Sequence, residues 1–126
     1  MPIITLSINC ELSSNARLAT VERLTDITST VLGKKRELTV VRIDTSVSCD
    51  FYIAGKPTNY TVAYLEIVIT EGSNTPTEKT AWLKATWQML SETLGIAIQP
   101  NYILVKEIPG DSWGYNGLSQ IFRSGL

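Results

Sequence analysis

The chain carries a long-range repeat. A shift of 62 residues takes Ser13 onto Thr75, Leu32 onto Leu94, Gly33 onto Gly95, Thr39 onto Asn101, Phe51 onto Trp113 and Gly55 onto Gly117. Few residues are identical under this shift. Helix caps, helix stops and loop aromatics nevertheless keep register without a gap. A fixed period of this kind marks a duplicated supersecondary unit, so the fold must be one that two copies of a single motif can build.

The motif reads as β-α-β. Ile3 to Ile8 alternates Ile4, Leu6 and Ile8 with Thr5 and Ser7, the period of a strand. Ser13 or Ser14 then caps a helix whose apolar stripe is Leu18, Val21, Leu24, Val31 and Leu32, and Gly33 stops it. Thr39 to Ile43 is a β-branched run and predicts the second strand, joined to the first by a parallel, right-handed crossover. The segment 50–57, closed by Gly55 and Pro57, predicts a loop or a short hairpin arm.

The second copy opens with a strand over Tyr64 to Thr70. Thr75-Pro76-Thr77-Glu78 is a capping box with proline at the first helical position. Leu83, Trp87, Leu90 and Leu94 line the helix that follows, Gly95 ends it, and Tyr102 to Val105 predicts the last long strand. The expected fold class is α+β (α/β): a duplicated β-α-β unit forming a four-stranded sheet with two helices on one face. It is expected as a single domain over residues 1–126, with internal repeats at about 2–57 and 64–119.

Right-handed crossovers place both helices on the same side and leave the other side of the sheet bare. The strands are apolar on both parities, Val68 as well as Ile67 and Ile69. Such a sheet must bury both faces. With no third long helix, the second layer has to come from further copies of the chain, which predicts a homo-oligomer with active sites at the subunit seams.

Composition removes several classes of function. The sequence contains no histidine, which excludes a Ser-His-Asp triad, a Cys-His pair and any His-ligated metal centre in this chain. Cys10 and Cys49 match neither a zinc pattern nor a disulfide framework, so both read as reduced thiols of a cytoplasmic protein. A formal net charge of -1 gives no reason to expect nucleic acid or an acidic membrane as partner. No signal peptide or membrane-spanning run is expected.

The amino-terminal stretch has two readings. Pro2 is either a strand-opening residue, where a missing N–H costs nothing, or a reactive group. If Met1 is removed, Pro2 carries a free secondary amine, and free α-amino groups titrate near neutrality. An apolar pocket or a neighbouring cation would leave its lone pair available as a base.

These residues together resemble a known family. Pro2 after Met1, the twice-repeated β-α-β pattern and the loop Glu107-Ile-Pro-Gly-Asp-Ser-Trp-Gly-Tyr-Asn-Gly117 are similar to the tautomerase superfamily. That family includes 4-oxalocrotonate tautomerase, macrophage migration inhibitory factor, malonate semialdehyde decarboxylase and cis-3-chloroacrylic acid dehalogenase. The resemblance runs from Pro2 to about Phe122. Phe51-Tyr-Ile-Ala-Gly55 resembles the 4-oxalocrotonate branch, whereas Gly33-Lys34 and Gly114-Tyr-Asn116 look more like the inhibitory-factor branch.

The resemblance implies a homotrimer enclosing a central barrel of sheets, no cofactor, no metal, and a small-molecule carboxylate substrate. It implies Pro2 as the general acid/base that moves a proton between the carbon beside a carbonyl and an enol oxygen. Lys34 falls where the inhibitory-factor branch carries a lysine beside the proline, to bind a substrate carboxylate; its other reading is a solvated run, Lys34-Lys35-Arg36. Tyr102 aligns with a site tyrosine in one branch and a substrate-binding arginine in the other. Trp113 takes the position of the apolar wall around the proline nitrogen. Arg42 and Lys106 keep strand parity with site positions and rank below these four.

The chain also departs from the family. Where the dehalogenase and decarboxylase branches carry arginines after the third strand, residues 70–75 contain no cation, and 10–12 read Cys-Glu-Leu where the 4-oxalocrotonate branch has an arginine. A monoacidic enol of the phenylpyruvate kind therefore suits one lysine and an aromatic wall better than a dicarboxylate. Two functional classes follow: a tautomerase or isomerase using Pro2, and a non-catalytic or signalling trimer on the same scaffold. A hydratase, dehalogenase or decarboxylase is a variant within the first.

Overall fold

A computed structural model describes residues 2–45, 50–96 and 100–125. The strand β1 (Ile3–Ile8) leads into the helix α1 (Ser14–Leu32), a 3-10 turn at Arg36–Leu38 and the strand β2 (Val40–Thr45). A hairpin follows, β3 (Tyr52–Ile53) and β4 (Lys56–Pro57). The strand β5 (Ala63–Thr70), the helix α2 (Pro76–Leu94) and the strand β6 (Tyr102–Ile108) repeat the first three elements. A second hairpin, β7 (Gly114–Tyr115) and β8 (Leu118–Ser119), leads into a one-turn helix α3 (Gln120–Arg123).

Local chemistry explains the boundaries. The Ser13 side chain accepts from the Ala16 N–H at 3.1 Å and starts α1. At α2, Glu78 N–H donates to Thr75 Oγ1 at 3.1 Å while Thr75 N–H donates to Glu78 Oε1 at 2.8 Å, a complete capping box ahead of Pro76. Both helices stop at a glycine in the left-handed region, Gly33 at φ 68° and Gly95 at φ 61°. The hairpin corners also recur at the 62-residue spacing: Ala54-Gly55 and Asn116-Gly117 all have positive φ. Two positive-φ residues in succession give the turn that follows the twist of a two-residue hairpin.

The four long strands form one sheet in the order β2-β1-β5-β6. β1 pairs parallel with β2 and β5 parallel with β6, while β1 and β5 meet antiparallel at the centre, Ile3 opposite Val68 and Ile8 opposite Ala63. Each parallel pair encloses its own helix, as the crossover reading expects. β6 extends to Ile108, beyond the expected Val105, because β5 offers partners as far as Thr70. β2 likewise runs on to Thr45 against Ile8.

Two helices cover one face. Ile4, Leu6, Ile8, Leu65, Ile67 and Ile69 point under them with no exposed surface, and Leu24, Trp82, Met89 and Leu90 close the core from above. The helix stripes agree with the expected ones in part: Leu24, Leu32 and Leu90 are buried, and Val31, Leu83, Trp87 and Leu94 pack against the core while partly exposed. α1 buries Thr20, Leu24, Thr28 and Leu32, leaving Leu18 60% exposed. α2 buries Trp82, Thr86, Met89 and Leu90, with Leu83, Trp87 and Leu94 only partly covered. Two of the buried threonines have satisfied hydroxyls: Thr20 Oγ1 donates to Ala16 O at 2.7 Å, and Thr28 Oγ1 accepts the Trp82 indole N–H at 3.1 Å, whereas Thr86 Oγ1 has no partner among the described residues.

The other face carries Ile3, Val40, Val68 and Leu104, but also Thr5, Ser7, Arg42, Asp44, Glu66 and Lys106. It is more polar than apolar strand runs suggest. Tyr64 Oη donates to Glu66 Oε2 on this face at 3.0 Å, and that bond, ahead of partial desolvation, raises the Tyr64 pKa. Cys10 is a free thiol, half buried; Cys49 and Met1 lie outside the described residues.

Two stability measurements check this packing. Trp82→Phe leaves Thr28 without its donor inside the core, and urea unfolding should show a loss of about 1–3 kcal/mol, whereas Leu18→Ala should stay within about 0.5 kcal/mol. Ala54 holds φ 57° without being glycine; Ala54→Asn, which copies Asn116 at the equivalent corner, should gain about 0.5 kcal/mol.

Candidate active site at the proline end of the sheet

One end of the sheet gathers most of the chemistry that the sequence singled out. β1 and β2 begin there, with Ile3 opposite Val40, and β5 and β6 end there, with Thr70 opposite Ile108. Pro2 is buried just ahead of β1, and its carbonyl accepts the Val40 N–H at 3.2 Å. Lys34 leaves α1 at the same end, directly after the left-handed Gly33. Trp113 arrives there from the loop that follows β6.

Lys34 is held rather than free. Its Nζ donates to Ser73 Oγ at 3.0 Å, and Ser73 Oγ donates in turn to Thr70 O at 2.5 Å. Burial lowers the Lys34 pKa, with Glu78 opposing the shift through its charge. Glu78 is itself held below the usual carboxylate range, first by the Thr75 N–H and then by Asn74. Asn74 Nδ2 donates to Leu32 O at 2.9 Å, so the α1 terminus and the 71–75 loop form one connected unit around Lys34.

Lys34 also lines a pocket of about 530 Å³. One wall is the 33–38 connection, with Lys35 and Leu38; the other is the second hairpin and α3, with Tyr115, Leu118, Phe122 and Arg123. Pro2 does not line it. Lys34 thus stands between the proline end and this basic pocket. Trp113 borders a separate cleft with Ser112 and Gly114, and its buried indole N–H has no partner among the described residues. Gly114 is required here: a Cβ at that position would lie 1.9 Å from Leu118 O.

The remaining candidates are placed elsewhere. Tyr102, 68% exposed, starts β6 opposite Tyr64, which faces Ser7, so it lies at the far end of the sheet from Pro2. Five residues of strand separate the two levels, roughly 17 Å. Within one chain, Tyr102 does not meet Pro2; it borders an aromatic hollow with Phe51, Tyr52 and Tyr64. Arg42 is exposed mid-strand on the open face and pairs with Asp44 at 3.3 Å. Lys106 lies on the open face opposite Val68, in the row that contains Ile3.

The sequence reading gave no site role to Arg123, to Tyr115 or to the pair Lys79–Glu107. Lys79 Nζ donates to Glu107 Oε1 at 2.5 Å and Gly72 N–H to Glu107 Oε2 at 3.3 Å, which fastens the 71–75 loop to the end of β6. No spacing in the sequence signals these contacts, since 28 residues separate Lys79 from Glu107. Among the described residues no cluster of acidic and cysteine side chains is arranged to hold a metal ion. No described helix is long and apolar enough to cross a membrane.

The Lys79 hydrogen bond, followed by that from Gly72, keeps the Glu107 carboxyl below its usual range. A depressed carboxylate stabilises the fold above the unfolded-state pKa, and that contribution is lost as pH falls through the folded value. Lys79→Met should therefore lower stability by about 1 kcal/mol or less near neutrality. The gap to the parent protein should close as pH drops through and below the ordinary carboxylate range; melting curves with a gap independent of pH would contradict this.

No protein-family model matches the chain, and no curated protein matches it in sequence. Solved structures do match it closely in shape. Pt0534 inactivated by 2-oxo-3-pentynoate superposes with a TM-score of 0.86 at 20% identity, over 96% of this chain and 98% of that one. A fused 4-OT wild-type asymmetric trimer gives 0.85 at 19% identity, over 97% and 98%. A macrophage migration inhibitory factor-like protein from Entamoeba histolytica gives 0.77 at 18% identity, over 94% and 97%. Over nearly its whole length, the chain has the fold shared by the 4-OT and migration-inhibitory-factor-like structures of the tautomerase superfamily.

Proposed function

We propose that this protein is a cofactor-independent keto-enol tautomerase of small 2-oxo or enol acids, with Pro2 as general acid/base. The observation that carries this reading is the placement of buried Pro2 at the sheet end where a desolvated Lys34 is anchored on Ser73. The fold, common to the 4-OT and inhibitory-factor-like structures, supports it.

In this scheme the amine of Pro2, exposed once Met1 is removed, takes a proton from the carbon next to the substrate carbonyl. The C–H electron pair forms the enol double bond and the carbonyl electrons pass to oxygen. The proton then returns at oxygen, or at carbon in the reverse direction, so nothing is oxidised or reduced. Lys34 binds the substrate carboxylate by a charge-assisted hydrogen bond, and Trp113 walls the site against water.

The working unit in this reading is a homotrimer, in keeping with the trimers described for fused 4-OT proteins. The open sheet face, with Ile3 at 37% and Val40 at 51% exposure, gains its cover there. Tyr102, remote from Pro2 in its own chain, joins a site only when it is supplied by a neighbouring copy. Arg42 and Lys106 are secondary candidates for carboxylate contact on the same face.

Two measurements test the mechanism. Intact-mass analysis of the purified protein should show the chain starting at Pro2. Ultraviolet assay of phenylpyruvate enol should then show turnover that Pro2→Ala reduces by about 100-fold or more; equal rates in the two proteins would rule out Pro2 as the base. An acetylenic 2-oxo acid such as 2-oxo-3-pentynoate should add to the Pro2 nitrogen, with one adduct mass on the amino-terminal peptide. No such adduct should form on Pro2→Ala.

A further inference from the structure

At the end of the sheet away from Pro2, the first hairpin and the starts of β5 and β6 border a hollow of about 410 Å³. Four of the residues that line it are aromatic: Phe51 and Tyr52 from the hairpin, Tyr64 from β5 and Tyr102 from β6. The parallel register sets Tyr64 directly beside Tyr102. Val62 and Pro100 add carbon surface, and no charged side chain lines the space. Lys56, opposite Ile53 in the hairpin, is exposed and is not part of the lining. The hollow is the second-half counterpart of the Lys34 pocket, since the 62-residue shift relates Tyr115 to Ile53, Ser124 to Val62 and Leu38 to Pro100. Where that pocket has Lys34, Lys35 and Arg123, the same shift gives Ile96, Ala97 and Thr61.

Loss of the cations changes the sign of the charge that such a pocket favours. Aromatic rings carry negative charge density on their faces, which attracts an organic cation. Tyr64 also brings a carboxylate to the wall: its Oη donates to Glu66 Oε2 at 3.0 Å. Glu66 is partly buried and has no cationic partner among the described residues. A primary ammonium would arrive with three N–H groups to satisfy, and carbon walls offer them no acceptors. A quaternary ammonium spreads its charge over methyl groups and needs no hydrogen bond, so four rings beside one carboxylate suit it better.

We propose that the hollow between the first hairpin and the starts of β5 and β6 binds a small quaternary ammonium compound, with the Tyr64 ring against the cation and Glu66 supplying the counter-charge behind it. The site is separate from the proline end of the sheet and does not rest on the tautomerase reading. Duplication supplies two related pockets, and the one without cations takes a ligand of the opposite charge.

The test is NMR titration of the isotope-labelled full chain with choline and with 3,3-dimethylbutan-1-ol. The alcohol has the shape of choline with carbon in place of the charged nitrogen. Choline should shift the amide signals of the hollow, Ala63 and Tyr64 among them, and bind roughly fivefold or more tightly than the alcohol. Glu66→Gln keeps an acceptor for Tyr64 but removes the charge; it should reduce that preference while leaving the affinity for the alcohol unchanged. Tyr64→Leu, which removes the ring, should reduce the preference as well, and Glu66→Gln alone decides the matter if the leucine variant does not fold. Equal affinity for the two compounds, no binding of choline, signal changes that map outside the hollow, or a preference undiminished in either folded variant overturns the proposal.

Discussion

The hydrogen bond from the Trp82 indole to Thr28 Oγ1, at 3.1 Å inside the core, is the contact on which the layered structure turns. It joins residues 54 positions apart and sets one helix against the other in a definite register. A tryptophan with no exposed surface has few alternatives, because a buried N–H without a partner is costly. Once α1 and α2 are locked side by side, the α1 terminus lies against the start of α2. Asn74 can then cap Leu32 O, and Lys34 can reach Ser73. The position of Lys34 thus depends on how α1 packs against α2 as well as on its bond to Ser73.

The two halves share a scaffold but not a chemistry. Counterparts of Gly33, Ala54 and Gly55 recur at Gly95, Asn116 and Gly117 with the same left-handed backbone. The counterpart of Pro2 is Tyr64, and that of Lys34 is Ile96, buried in the core. Backbone geometry at a cap or turn is demanded wherever the motif is used, so it persists in both copies. Under the proposed function, a base and a cation are needed in the first half alone. The second half retains the frame and fills the corresponding positions with packing residues.

Much of the frame was legible in the sequence. Ser13, Thr75, Pro76 and the glycine stops are local signals, and the structure puts each at its helix end. The helix stripes were less legible. An apolar-residue count favours Leu18 and misses Thr20 and Thr28, because a threonine whose hydroxyl is satisfied nearby can be buried as readily as a leucine. For the candidate site, the sequence named residues and the structure gives their places in the fold. Pro2, Lys34 and Trp113 are brought to one end of the sheet by the directions of β1, α1 and β6. Tyr102 is carried to the other end, since it begins a strand that runs toward them, and Arg42 is drawn into a pair with Asp44.

By itself the amino-acid order determined the 62-residue repeat, the caps, the turns and the strand periods, all of which act over a few bonds or through a fixed spacing. The tertiary structure alone decided which helix faces are covered, which cations remain unpaired and which stretches meet at a pocket. Arg123 shows the difference most clearly. The sequence assigns it no role, yet folding the second hairpin back toward the α1–β2 connection sets it in one pocket with Lys34. Contacts between residues far apart in the chain depend on how the whole sheet closes, and only the assembled structure contains that information.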